Sequence, residues 1–79
     1  MSNITHDLLV HGTAAAKAGD TLEAERYFKW LLRLNPTTRE MIEAYNWLAD
    51  ITKDPQVKRN YLDEILARNP GDNRARRKL

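Results

Sequence analysis

Apolar residues in this chain recur in steps of three and four, the spacing of a helix with one buried face. The clearest run is GDTLEAERYFKWLLRLNP, from Gly19 to Pro36, with Leu22, Ala24, Tyr27, Phe28, Leu31, Leu32 and Leu34 as its ladder. Asp20 can cap the first turn, and Glu23, three residues on, can reach back to the cap's own N–H. Asn35-Pro36 stops the run near Leu34, because proline disfavours the α conformation in the residue before it. A first helix is predicted from about Ile4 to Ala18, with Leu8, Leu9, Gly12, Ala15 and Ala16 on its buried face and residues 1–3 frayed. Gly12 in mid-helix costs roughly 1 kcal/mol relative to alanine, which points to close approach by another helix backbone. Gly19 ends this helix in the left-handed conformation.

A third helix is predicted from about Thr38 to Thr52, capped by Thr37 or Thr38 with Glu40 in its first turn. Ile42, Tyr45, Leu48 and Ala49 make its stripe, and Trp47 lies off it. Asp54-Pro55 opens a fourth helix, with proline where the missing N–H is harmless. Val57, Tyr61, Leu62, Ile65 and Leu66 carry its apolar face to Asn69-Pro70. Asp72 or Asn73 caps a fifth helix of under two turns. Asp63 and Glu64 precede Arg68 on a solvated face, with local pairing. RLNP at 33–36 recurs as ARNP at 67–70, a spacing of 34 residues, which is a helix–turn–helix repeat length.

On these residues the chain resembles the tetratricopeptide repeat (TPR) family. The first repeat, about 5–38, matches at Leu8, Gly12, Ala14, Gly19, Asp20, Ala24, Phe28, Leu32, Leu34 and Pro36; the second, about 39–72, at Ile42, Tyr45, Ala49, Leu62, Ile65, Leu66, Asn69 and Pro70. The tract EAYNWLADITKDPQVKRNYLDEILARNPGDNRARR also resembles bacterial TPR segments at the N-terminus of larger proteins. The resemblance implies an all-α fold: two antiparallel helix-turn-helix hairpins in a right-handed solenoid, with residues 73–79 starting a short capping helix. Asn46 stands where the family has a small Gly or Ala, and Lys58 where it has Ala. Both imply looser packing of the second helix pair.

The resemblance also implies a concave groove. By position its lining is Leu9, Val10, Thr13 and Lys17 from the first helix, Glu43, Trp47, Asp50 and Ile51 from the third, and Arg74 and Lys78 from the fifth. Trp47 has two readings, an interface anchor or a ring packed on a neighbouring helix. Trp30 reads as a convex-face or inter-pair packing residue. Many family members clamp an acidic chaperone tail. Arg74 and Lys78 fall at two clamp positions, whereas Leu9, Thr13 and Ala44 stand at the others, so the clamp is incomplete and that function is not carried over.

Composition narrows the chemistry. Seventy-nine residues form one small domain with a thin stability margin. The absence of cysteine removes disulfides and thiolate chemistry and fits a reducing compartment. Apolar runs of three or four residues are too short for a membrane span. These features predict a cytoplasmic chain with no membrane segment within it. The net charge of +2 is unevenly placed: Arg74, Arg76, Arg77 and Lys78 fall among the last seven residues, leaving the rest with 9 bases against 11 acids, or −2. That body lacks the footprint of a nucleic-acid-binding domain, so weak nucleic-acid or acidic-peptide binding through the basic tail, Arg74 to Lys78, ranks last among the readings.

His6 and His11 are five residues apart, off a shared helix face, and predict no metal site. With no nucleophile–base arrangement, phosphate loop or paired acids, the expectation is a non-enzyme without a cofactor. The primary expectation is a scaffold for a protein or peptide partner. The alternative is self-association into homo-oligomers, because two repeats leave apolar stacking faces that a short fifth helix caps poorly. On this view either the chain is a fragment or copies stack.

Overall fold

Each helix begins where a side-chain oxygen satisfies its first N–H groups. In the computed structural model, which describes residues 3–79, the helices are α1 (Ile4–Lys17), α2 (Thr21–Leu32), α3 (Thr38–Ile51), α4 (Pro55–Arg68) and α5 (Asn73–Lys78). Asn3 accepts from the His6 N–H at 3.2 Å, Asp20 from Glu23 at 3.3 Å, Thr37 from Glu40 at 3.1 Å, Asp54 from Gln56 at 2.9 Å and Asp72 from Ala75 at 3.0 Å. Asn3 is thus a cap rather than part of a frayed end; Met1 and Ser2 lie outside the described residues. Thr37 and Glu40 form a full capping box, the Thr37 N–H donating to Glu40 Oε1 at 2.8 Å. Asp20 makes only half of one. Its N–H already donates to the Ala15 carbonyl at 2.9 Å, so Glu23 pairs instead with Arg26 at 3.3 Å.

That Asp20 bond belongs to the stop of α1. Gly19, at φ +81°, donates to the Ala16 carbonyl at 3.1 Å, completing a two-bond C-cap. The α2 helix ends at Leu32, two residues before its apolar ladder does. Arg33 and Leu34 donate three residues back, to Trp30 and Leu31, and Asn35 turns to φ +53°. Leu34 is therefore outside the helix and exposed. Leu22 is 61% exposed and also leaves the predicted buried face.

Two apolar clusters follow. Leu8, Ala24, Phe28, Leu31, Ala44 and Leu48 join α1, α2 and α3. Ala49, Leu62, Ile65 and Ala75 join α3, α4 and α5. The α3 helix contributes to both, with Leu48 in one and its neighbour Ala49 in the other. Among the described residues the chain is all-helical, with no strand.

One expectation changes. The nearest approach to Gly12 is by the Phe28 side chain rather than a helix backbone: a Cβ at Gly12 would lie 2.7 Å from Phe28 Cε1. Asn46 is buried, and its Oδ1 accepts from Lys78 Nζ of α5 at 2.7 Å. Lys58 is half-buried beside Leu62 in a depression between α4 and α5.

Phe28 is fully buried and cannot swing aside. Gly12→Ala is therefore expected to lower the unfolding free energy by about 1–3 kcal/mol, despite alanine's helix preference of about 1 kcal/mol. Urea denaturation monitored by circular dichroism checks this; a gain in stability would contradict the packing.

Candidate recognition surface

Residues of α1 and α3 fall on one surface because both helices turn an outer stripe the same way from the first cluster. On α1, Leu9, Val10, Thr13, Ala14 and Lys17 line an open depression of about 380 Å³, almost wholly apolar. Leu9 also borders a larger hollow, of about 610 Å³, with His6, Thr37, Arg39, Glu40 and Glu43. Glu43 in turn borders a third, of about 190 Å³, with Asn46, Trp47, Asp50, Arg74 and Lys78. The shared residues make one continuous surface across α1, α3 and α5. It brings together nine of the ten residues predicted to line a groove. The tenth, Ile51, lies elsewhere: it packs on the first cluster and borders a depression with Glu25, Lys29 and Tyr61. One step beyond Asp50 on a helix turns a side chain by about 100°, enough to move it to another face.

Trp47 combines its two readings. Its ring is parallel to that of Phe28, with centroids 6.4 Å apart and planes at 7°, and the half-buried ring also lines the third depression. Trp30 is 51% exposed on α2 and joins neither cluster.

Two of the four cations of α5, Arg74 and Lys78, are spent on α3. Arg74 Nη2 meets Glu43 Oε1 at 2.9 Å, and Lys78 Nζ meets Asp50 Oδ1 at 3.0 Å. The hydrogen bond to Glu43 holds the Arg74 guanidinium above its ordinary pKa. Among the described residues, Lys17 and Arg39 have no carboxylate within ion-pair distance, so the uncompensated positive charge of this surface lies at its α1 end and beside the start of α3. Elsewhere, Arg68 pairs with Glu64 at 2.7 Å, as its spacing predicts, and lies 5.4 Å over the Tyr45 ring.

Glu40 ties this surface to the frame. Its Oε1 accepts from the Thr37 N–H, and its Oε2 lies 2.8 Å from the Thr5 hydroxyl. The Thr37 backbone bond, then the two threonine hydroxyls, hold its carboxyl below the usual range, against the opposing effect of burial. His6 borders the middle hollow, while His11 stacks on Tyr27 at 5.6 Å. Among the described residues no three His, Cys, Asp or Glu side chains converge on a point where a metal ion would sit, and no helix is long and apolar enough to cross a membrane.

Sequence reasoning missed Asn46, Arg39 and His6 as surface-forming residues. Asn46 carried a signal, as a polar residue where the repeat pattern has a small one. The other two carried none, because their placement depends on how α1 meets the start of α3. Compared with models of protein families, with curated proteins and with solved structures, the chain matches none.

A carboxyl with a depressed folded pKa stabilises the fold above its unfolded pKa and loses that contribution as pH falls through the folded value. Glu40→Gln removes one of two acceptor oxygens and is expected to cost about 1–2 kcal/mol near neutrality. The gap from wild type should narrow below about pH 4, as the wild-type carboxyl takes up its proton. Denaturation curves at a series of pH values test this; a gap that stays constant into acid would exclude an ionised Glu40 as the tie.

Proposed function

We propose that this protein is a non-catalytic, TPR-type interaction scaffold that holds a peptide or partner helix along the α1–α3–α5 surface. In this reading residues 5–38 and 39–72 are two helical hairpins of a right-handed solenoid, α1 and α3 line its concave side, and the chain works in the cytoplasm. The observation that carries the reading is the continuity of the three depressions, which joins nine residues chosen for repeat position alone. The surface offers an apolar stretch at Leu9 and Val10, a half-buried aromatic at Trp47, and polar groups between them. That mix suits a segment with a few apolar anchors and a polar backbone.

Self-association is the second reading, and one observation favours it. Leu22 and Trp30 stand eight residues apart on α2 and Leu34 follows just past its end, all three exposed and outside both clusters.

Trp47→Ala would strip a stacking partner from Phe28, so it mixes binding with stability. Val10→Asp is the cleaner probe, because Val10 is 51% exposed. The chain, Val10→Asp and Trp30→Ala are immobilised side by side, and retained proteins are measured by quantitative mass spectrometry. A partner set that falls at least tenfold with Val10→Asp and is unchanged with Trp30→Ala is expected. The reverse pattern, with concentration-dependent sedimentation of the wild type, would move the function to α2.

A further inference from the structure

The six residues of α5 are held mainly by charge. Its one buried apolar side chain is Ala75, a single methyl group against Ala49, Leu62 and Ile65. Its other ties to α3 are Arg74 to Glu43, and Lys78 to Asp50 and Asn46. Arg76 turns back to the Pro70 carbonyl at 2.7 Å and adds nothing across to α3. Ordering six residues has an entropic cost that one methyl cannot offset, and exposed ion pairs are weak and screened by salt. The docked state of α5 is therefore readily exchanged.

What α5 covers is a built surface. Glu43, Asn46, Trp47 and Asp50 stand at i, i+3, i+4 and i+7 on α3, one stripe over two turns. Its two carboxylates meet cations four residues apart on the facing helix. Between them Asn46 is 4% exposed, its Oδ1 bound by Lys78 and its Nδ2 with no partner. A buried amide donor left unsatisfied is costly. The present occupant thus fits the charges and the register but leaves one buried donor without an acceptor.

We infer that the Glu43–Asn46–Trp47–Asp50 stripe of α3 is a docking site for a short basic helical segment, with two cations one turn apart and a small residue next to the first, and that α5 is the chain's own displaceable occupant of it. This rests on the proposed role of the α1–α3–α5 surface in recognition and names the partner chemistry for its α3 half. The foreign segment replaces Arg74, Ala75 and Lys78 in kind and gains an acceptor for Asn46. Of the Lys and Arg residues that line the three depressions, the two without a carboxylate, Lys17 and Arg39, lie at the other end, so the surface is divided: acidic where α5 sits and basic toward α1.

The test uses the whole chain. Arg74→Glu/Lys78→Glu turns α5 against its own seat while leaving the Asp72 cap and Ala75 in place. A labelled synthetic peptide copying residues 69–79 is titrated into wild type and variant, with fluorescence anisotropy as the readout. The peptide is expected to bind the variant at least tenfold more tightly than wild type, and to lose at least tenfold in affinity from about 20 to about 300 mM NaCl. A peptide with glutamate at the positions of Arg74 and Lys78 should not bind. Equal affinity for both chains, or no binding to a folded variant, would overturn the proposal. Amide hydrogen exchange on wild type needs no variant: residues 73–78 should exchange at least tenfold faster than 62–66, and faster still at 300 mM NaCl. Protection of α5 equal to that of α4 would also overturn it, while leaving the Val10→Asp test of the wider surface untouched. Sedimentation separates the sources of the segment. Peptide binding by a monomer supports a foreign partner, and a wild-type dimer that Arg74→Glu/Lys78→Glu cannot form would assign the seat to α5 of a second copy and overturn it.

Discussion

The Phe28 ring sets the spacing of the first three helices. It projects from α2 with no exposed surface, meets α1 at the one residue without a side chain, and lies parallel to Trp47 of α3. The ring, the glycine and the indole depend on one another: a Cβ at Gly12 would displace the ring, and the ring supports the indole. Closely packed interiors transmit such shifts instead of absorbing them. The position of Trp47 on the outer surface is thus fixed from beneath, by a contact that begins on α1. Recognition surfaces gain from that kind of support, because an anchor already held in place loses little freedom when a partner arrives.

The electrostatics of the same surface decide what it can hold. Four bases in the last seven residues make that segment look like a contact for acidic or phosphate-bearing partners. Folded, two of the four are turned inward onto α3 and a third onto a backbone carbonyl. An acidic partner seeking Arg74 and Lys78 competes with Glu43 and Asp50, already in place at 2.9 and 3.0 Å. Lys17 and Arg39 face no such competitor among the described residues. Formal charge along the chain and charge offered to a partner therefore have different maps.

Helix order and most of the core were legible in the sequence, since apolar spacing, caps and stops are local chemistry. Asp20, Asp54 and Asp72 cap as expected, Gly19 takes the left-handed turn, and Ala24, Phe28, Leu31, Leu48, Leu62 and Ile65 are buried. The failures come from contacts that periodicity does not encode. Leu22 and Leu34 fit the ladder, yet they sit at the two ends of α2, beyond the reach of α1 and α3. Ile51 was placed by repeat position, but the residue beside Asp50 points toward a different neighbour. Gly12 does mark a close approach, but periodicity says nothing of what approaches, which is the Phe28 ring. The grouping of the candidate surface came from repeat position; its pairing of Glu43 with Arg74 and Asp50 with Lys78 depended on where α5 lands.

The two clusters also differ in kind, and the difference orders the molecule from one end to the other. The first contains Phe28, Leu31, Leu8 and Leu48, with Trp47 and Tyr27 packed against it. The second has Leu62 and Ile65 as its large buried side chains, with two alanines beside them and the partly buried Ile42, Tyr45, Tyr61 and Leu66 packed against it. Hydrophobic stabilisation scales with apolar area removed from water, so the second cluster has less holding it together. Polar contacts supply the remainder there: the Arg68 stack on Tyr45, the Asp72 cap and the α3–α5 ion pairs. Apolar contacts are insensitive to salt, whereas exposed ion pairs weaken with it. Opening that begins where area is smallest and charge does most of the holding starts at α5 and reaches α4 before it reaches Phe28. The half of the surface built on α1 is then the rigid half, and the half under α5 is the one that responds to ionic conditions and to competing charge.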